Sequence, residues 1–297
     1  MSAAPLSITV GHHPISRAAM EPGRAERHGL ELQRIVTRPM HDAFTPMIRE
    51  QAFDASELAI VSAMQAVAYG VPLVLLPVTL AARFQHGCIV RNAERPAFGV
   101  GDMAGRRVGV RAYTQTTGAW VRTILQHEYG LSPLSMHWVT QVGAHVAQFE
   151  DPPHVEHAPK SASLLGMLEE GVIDAAIFGN DLPDLPWVAP VIEDADSAAR
   201  ASFARTGRVP VNHLLCVTRE LAEARPEAVA GLMALFREAK AESRGAGEDL
   251  YPLGIEAMAA SVEALLASAW DQGLLPERMD VGTLFGPARA ILGSGAD

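Results

Sequence analysis

The chain has 297 residues, 48% of them hydrophobic and 20% charged, and its 24 Lys and Arg against 34 Asp and Glu give a formal net charge of −10. That profile suits a globular protein with room for one large domain or two lobes. The acidic balance, with no Lys/Arg block, argues against nucleic acid or an anionic membrane surface as partners, and no run approaches the ~18 uninterrupted apolar residues that span a bilayer.

The N-terminal residues lack the basic and long apolar regions of an export signal and lead into a strand-like Leu6–Val10. Only Cys88 and Cys216 are present, both within apolar runs, so a disulfide framework is not expected and a cytoplasmic setting is. Further strands are predicted at 31–36, 58–60, 71–76, 88–90, 107–110, 136–139, 175–178 and 214–218. Helical spacing is predicted over 40–50, 62–69, 117–129, 161–170, 226–242 and 254–272. Strand and helix alternate nearly throughout, which is the pattern of an α/β protein with largely parallel sheets. The Pro, His and acid-rich stretch 149–160 reads as a solvated excursion.

Within Gly105–Arg122 a short buried strand leads through a polar turn to a helix opening near Thr116 or Thr117. Hydroxyls there would cap the helix, and its free N–H groups and dipole would seat an anion such as a carboxylate. A helix cap with no ligand fits the same residues. No G-x-G-x-x-G, P-loop, H-E-x-x-H, G-x-S-x-G or C-x-x-C motif is present. Phe84–Val90 and Val211–Val217 each place a histidine, His86 or His213, just before an apolar run. They bracket a middle block and so predict two α/β lobes joined by two crossover strands. The first lobe is formed by 1–88 with 213–297, the second by 89–212, with both histidines near the floor of a central cleft.

The ordered set Phe53-Asp54-Ala55-Ser56-Glu57-Leu58, Phe84-Gln85-His86, Arg107-Val108-Gly109-Val110, Tyr113, Thr116, Trp120-Val121-Arg122, Arg205-Thr206-Gly207, Pro210 and His213 resembles the 4,5-dihydroxyphthalate decarboxylase family over about residues 53 to 270. That family is similar in fold to the type II periplasmic solute-binding proteins. The resemblance implies a two-lobed fold with a central cleft. It also implies non-oxidative removal of a carboxylate from a hydroxylated aromatic acid, with no cofactor. Two stretches depart from the family pattern. Ala82, beside Arg83, stands where an arginine is expected, and Trp138–Val142 lacks a glycine pair after the tryptophan.

Such a reaction must hold a carboxylate, protonate the ring carbon that bears it and release neutral carbon dioxide. Glu57 is a candidate proton donor, or a base on a phenol, with a pKa raised by burial; a helix-capping surface carboxylate is the other reading. His86 and His213 could donate, accept or orient protons. Arg83, Arg111 and Arg122 are candidates for a bidentate carboxylate clamp. Tyr113 could stack on a ring, and Ser56, Thr116 and Thr117 complete the expected substrate contacts. Glu57, His86 and His213 would form a two-His, one-carboxylate metal set only if they converged, and no metal is expected. A small aromatic carboxylate is the expected partner, and the apolar-rich 257–270 offers a face for a second copy. The rival expectation is a solute-binding protein that grips an organic anion without chemistry.

Overall fold

The computed structural model describes residues 4–159, 161–243 and 248–297. Its strands are β1 (Leu6–Thr9), β2 (Leu32–Arg34), β3 (Ala55–Ala59), β4 (Leu73–Ala82), β5 (Ile89–Asn92), β6 (Arg107–Val110), β7 (His137–Thr140), β8 (Val155–His157), β9 (Ala175–Ile177), β10 (Val188–Pro190) and β11 (Val211–Thr218). They form two sheets, ordered β2-β1-β3-β11-β4 and β10-β5-β9-β6-β7-β8. The first sheet takes its strands from both sides of the second in sequence, giving the expected two-lobed α/β architecture.

Burial explains the order within each sheet. Every residue of β3 is buried, as is nearly all of β4, so these strands have apolar packing on both faces. Strand β11 lies between them and runs antiparallel to both, registering His213 with Ala59 and Leu215 with Glu57. In the second sheet β6 is flanked by parallel β7 and β9, with Gly109 opposite Val139 on one side and Ala176 on the other. The absence of a side chain at Gly109 leaves room for the tips of Ile173 and Leu164, which would lie 2.5 Å and 2.6 Å from a Cβ there and would have to shift.

The chain passes between the sheets after β4 and again before β11. These crossovers are bonded to each other: Arg83 N–H donates to Pro210 C=O at 3.3 Å, and Gln85 Nε2 donates to Asn212 Oδ1 at 2.7 Å. A third tie is made by the helix Ile255–Asp271, which follows β11 in sequence yet packs on the helix Thr116–Tyr129 beside the second sheet. Just past its end, Gln272 accepts from Arg122 Nε at 2.7 Å and donates to the Ala119 carbonyl at 3.2 Å.

Several elements differ from expectation. The 149–160 stretch contains β8, a short edge strand pairing Val155 with Trp138, so part of the predicted excursion is sheet. Strand β10 and the helices Pro14–Ala19, Arg24–Arg27, Ala195–Thr206, Arg219–Ala224 and Val281–Leu292 were not predicted. Among the described residues no helix is long and apolar enough to cross a membrane.

Candidate active site

At the carboxyl end of β1 the chain turns through Gly11 and His13, beside Glu57 of β3 and His213 of β11. Glu57 is fully buried. Its Oε2 accepts Gly11 N–H at 2.7 Å, and its Oε1 accepts from both His13 Nε2 at 2.9 Å and His213 Nδ1 at 2.5 Å. An ionised carboxylate can only accept, so each ring presents an N–H to it, leaving His13 Nδ1 and His213 Nε2 uncommitted. Burial alone would raise the Glu57 pKa. The hydrogen bonds from His13 and His213 outweigh it and hold the carboxyl well below the usual carboxylate range. The expectation of a raised pKa and a proton-donating Glu57 is therefore corrected: it is a fixed anion that orients two imidazoles.

Both imidazoles line a cavity of about 480 Å³ between the lobes. Its second-lobe wall carries Arg111, Thr116 and His145; Arg83 enters from the first crossover. The Arg111 guanidinium has no hydrogen-bond or ion-pair partner among the described residues, and burial pulls its pKa down. Arg83 is already engaged, by Asn180 Oδ1 and by Thr117 Oγ1 at 3.0 Å. The helix Thr116–Tyr129 opens toward this cavity, but its N-cap residue is Gln115, whose side chain makes no cap. Thr116 and Thr117 thus lie inside the helix rather than capping it. Thr116 Oγ1 accepts from Val61 N at 3.4 Å.

The expected residues therefore divide. Glu57, His213, Arg83, Arg111, Thr116 and Thr117 gather at or just behind the cavity wall. Ser56 does not: it is buried and its hydroxyl donates to the Glu57 carbonyl at 2.8 Å. Tyr113 is fully buried with its hydroxyl donated to the Gln272 carbonyl at 3.1 Å, away from the cleft. Arg122 is likewise fully buried, held by Gln272 and by the Tyr113 carbonyl at 2.6 Å, with its guanidinium 4.2 Å above the Tyr113 ring. Both are packing residues at a helix junction rather than ligand contacts. His86 sits in a separate hollow of about 220 Å³ and pairs with Glu128 at 3.2 Å, so it does not meet Glu57 or His213.

The partner that replaces His86 is His13, which sequence reading missed. The available signal was the Gly11-His12-His13 run at the carboxyl end of a predicted strand, the usual address of α/β ligand sites. His41, in the short helical turn Met40–Ala43, and His145, in a loop after β7, also line the cavity; neither stands beside a predicted strand, so neither carried a signal. The ligand-capable atoms of His13, Glu57 and His213 lie within 4.8 Å of one another, a spacing that one metal ion could bridge. Both imidazoles are instead committed to the same carboxylate oxygen, an arrangement suited to holding protons.

No family model matches the chain. It is 27% identical to the 4,5-dihydroxyphthalate decarboxylase of Comamonas testosteroni, over 97% of this chain and 98% of that one. Against the 4,5-dihydroxyphthalate decarboxylase of Pseudomonas putida it is 29% identical over 58% of this chain and 69% of the relative. The resemblance read from the sequence is thus found across nearly the whole chain. Among solved structures, the alkanesulfonate-binding protein SsuA from Xanthomonas axonopodis superposes with a TM-score of 0.58 at 14% identity, covering 96% of this chain and 98% of that one. The desulfurization enzyme DSZB superposes with a TM-score of 0.55 at 17% identity, covering 96% and 99%. The fold is that of the periplasmic binding proteins.

Proposed function

We propose that this relative of the 4,5-dihydroxyphthalate decarboxylases is a carboxy-lyase that removes one carboxylate from a hydroxylated phthalate by protonating the ring carbon. The observation that carries the reading is the pair of imidazoles seated on a buried carboxylate, lining one cavity with an arginine that has no hydrogen-bond or ion-pair partner among the described residues. Arg111 is the carboxylate clamp, assisted by Arg83 and the opening of the helix at Thr116. His213, fixed by Glu57, gives its Nε2 proton to the ring carbon, and His13, which shares the same anion, reloads it. A hydroxyl para to the departing group feeds electron density to that carbon, and both carboxylates of 4,5-dihydroxyphthalate have such a hydroxyl. Carbon dioxide leaves and the ring regains aromaticity.

No cofactor is assigned in this reading, so exhaustive chelation is expected to leave the rate unchanged. The cytoplasmic setting, and the lobe division 1–88 with 213–297 against 89–212, are carried as parts of the same proposal. Pairing of two copies through 257–270 is a further part, which sedimentation tests.

Carbon dioxide release from a panel of hydroxybenzoic and hydroxyphthalic acids tests the function. Turnover of a hydroxylated phthalate is expected. His213→Ala and Glu57→Gln are each expected to lose at least ~10²-fold in kcat while keeping their circular dichroism. Tight binding of the panel without release of carbon dioxide would instead mark an anion-binding protein.

A further inference from the structure

We propose that His145 is the base that receives the ring hydroxyl's proton as the substrate loses carbon dioxide, a role that rests on the decarboxylase reading. His145 follows β7 in the second lobe, yet it is clasped to the first. Its Nδ1 lies 2.8 Å from Ser62 Oγ, and its carbonyl accepts Arg49 Nε–H at 2.9 Å. Phe44 meets the ring edge-on at a centroid distance of 5.6 Å, and meets His213 the same way at 5.3 Å. Both imidazoles line one cavity, reaching it from different lobes. A hydroxyl and the carboxylate para to it likewise stand at opposite ends of an aromatic ring.

The surroundings of the two rings differ in sign. His213 has the Glu57 carboxylate behind it. Among the described residues the His145 ring has only a neutral hydroxyl as its hydrogen-bond partner, and the positive charges of Arg111 and Arg49 disfavour its protonation, as do His41 and His213 whenever they are protonated. Burial first, and then these charges, bring its pKa down to about 4, so the free ring is neutral at neutral pH. Environments that drive two titratable groups apart separate acid from base. A dianionic substrate on Arg111 offsets the largest of these charge contributions and makes His145 a better base when the cavity is filled.

The role requires the tautomer that donates Nδ1–H to Ser62 Oγ, which leaves the lone pair on Nε2. The hydroxyl O–H bond breaks toward Nε2, and its electron pair moves through the ring to the carboxylate-bearing carbon. That carbon takes the proton from His213. The bond to the carboxylate then breaks, its electrons restore the aromatic ring, and His145 returns its proton to the oxygen. One proton is consumed and one carbon dioxide is released.

The test compares wild type, His145→Asn and Ser62→Ala on the hydroxylated phthalate that wild type turns over best, from about pH 6 to 9. The expected result is a ~10²-fold loss of kcat in His145→Asn near neutral pH that shrinks as pH rises, because the phenol then ionises unaided. Ser62→Ala should show a smaller loss of the same shape. Calorimetric affinity for phthalate, which has no hydroxyl, should be unchanged in both. A loss constant across pH, or phthalate binding that weakens in parallel, overturns the role of His145 while the decarboxylase reading stands. Absence of carbon dioxide with wild type overturns both together.

Discussion

Gly11 shows how one backbone atom shapes the candidate site. Its N–H supplies the third hydrogen bond to Glu57, and a Cβ there would lie 2.7 Å from His13 Nε2 and 2.9 Å from Glu57 Oε2. Real Cβ atoms do not sit so close, so Gly11→Ala must push His13 off the carboxylate. The expected outcome is a kcat loss approaching that of a direct His13 replacement, with phthalate affinity within about twofold because Arg111 is untouched. Loss of affinity matching the loss of kcat would show that Gly11 serves the fold instead. At this scale the sequence pointed to Glu57, His213 and Arg111 through their places beside predicted strands, and the fold brings the three to one cavity, with Glu57 behind His213. It could not reveal His13 in place of His86. Both are histidines near apolar strands, and only the packing of β1 against β3 decides which one reaches Glu57.

Elements with a continuous apolar pattern were legible, and those without one were not. Arg107–Val110 matches its prediction residue for residue, and the helices 116–129, 226–243 and 255–271 fall within a residue or two of theirs. The helix Ala195–Thr206 buries only Ala199 and so carries no stripe to read, while Pro287 lies inside the unbroken helix Val281–Leu292, where a sequence reading expects a break. Strand β8 is held by its neighbour rather than by its own residues, two of its three being exposed. The junction of the helix Thr116–Tyr129 with Gln272 gives a prediction at this scale. Arg122→Ala leaves the Tyr113 carbonyl and the Gln272 amide without their buried donor, a loss of about 3 kcal/mol or more in stability. Urea unfolding should show that fall, while phthalate affinity of the still-folded variant stays at the wild-type value. Weakened affinity with intact stability would return Arg122 to the cleft.

For the molecule as a whole, the site makes stability depend on acidity with a definite sign. His145 is held from its ordinary value of 6.5 down to about 4. Between those values the unfolded chain takes a proton that the folded chain refuses, so stability falls as pH falls, by at most about 1.4 kcal/mol per unit. Glu57 is depressed from 4.5, so its contribution is fully present above that value and drains away below it. Denaturation midpoints should therefore decline from about pH 6.5 downward, and His145→Asn should flatten the upper part of the decline. A midpoint that stayed level or rose over that range would contradict the buried neutral imidazole. The two-lobed plan was readable from the matched segments around His86 and His213, since each marks a place where the chain changes sheets. The helical strap at 255–271 was not readable, because an amphipathic stripe does not say which lobe it faces.

The bonded crossovers carry one more consequence. Arg83 offers its backbone N–H to Pro210 and its guanidinium to Asn180 and Thr117. The same residue is thus an axle pin and a finger in the cavity. Replacing Arg83 by Ala would keep the backbone bond to Pro210 and release Asn180 and Thr117, so one tie between the crossover and the opposite wall is made by the same guanidinium that lines the cavity.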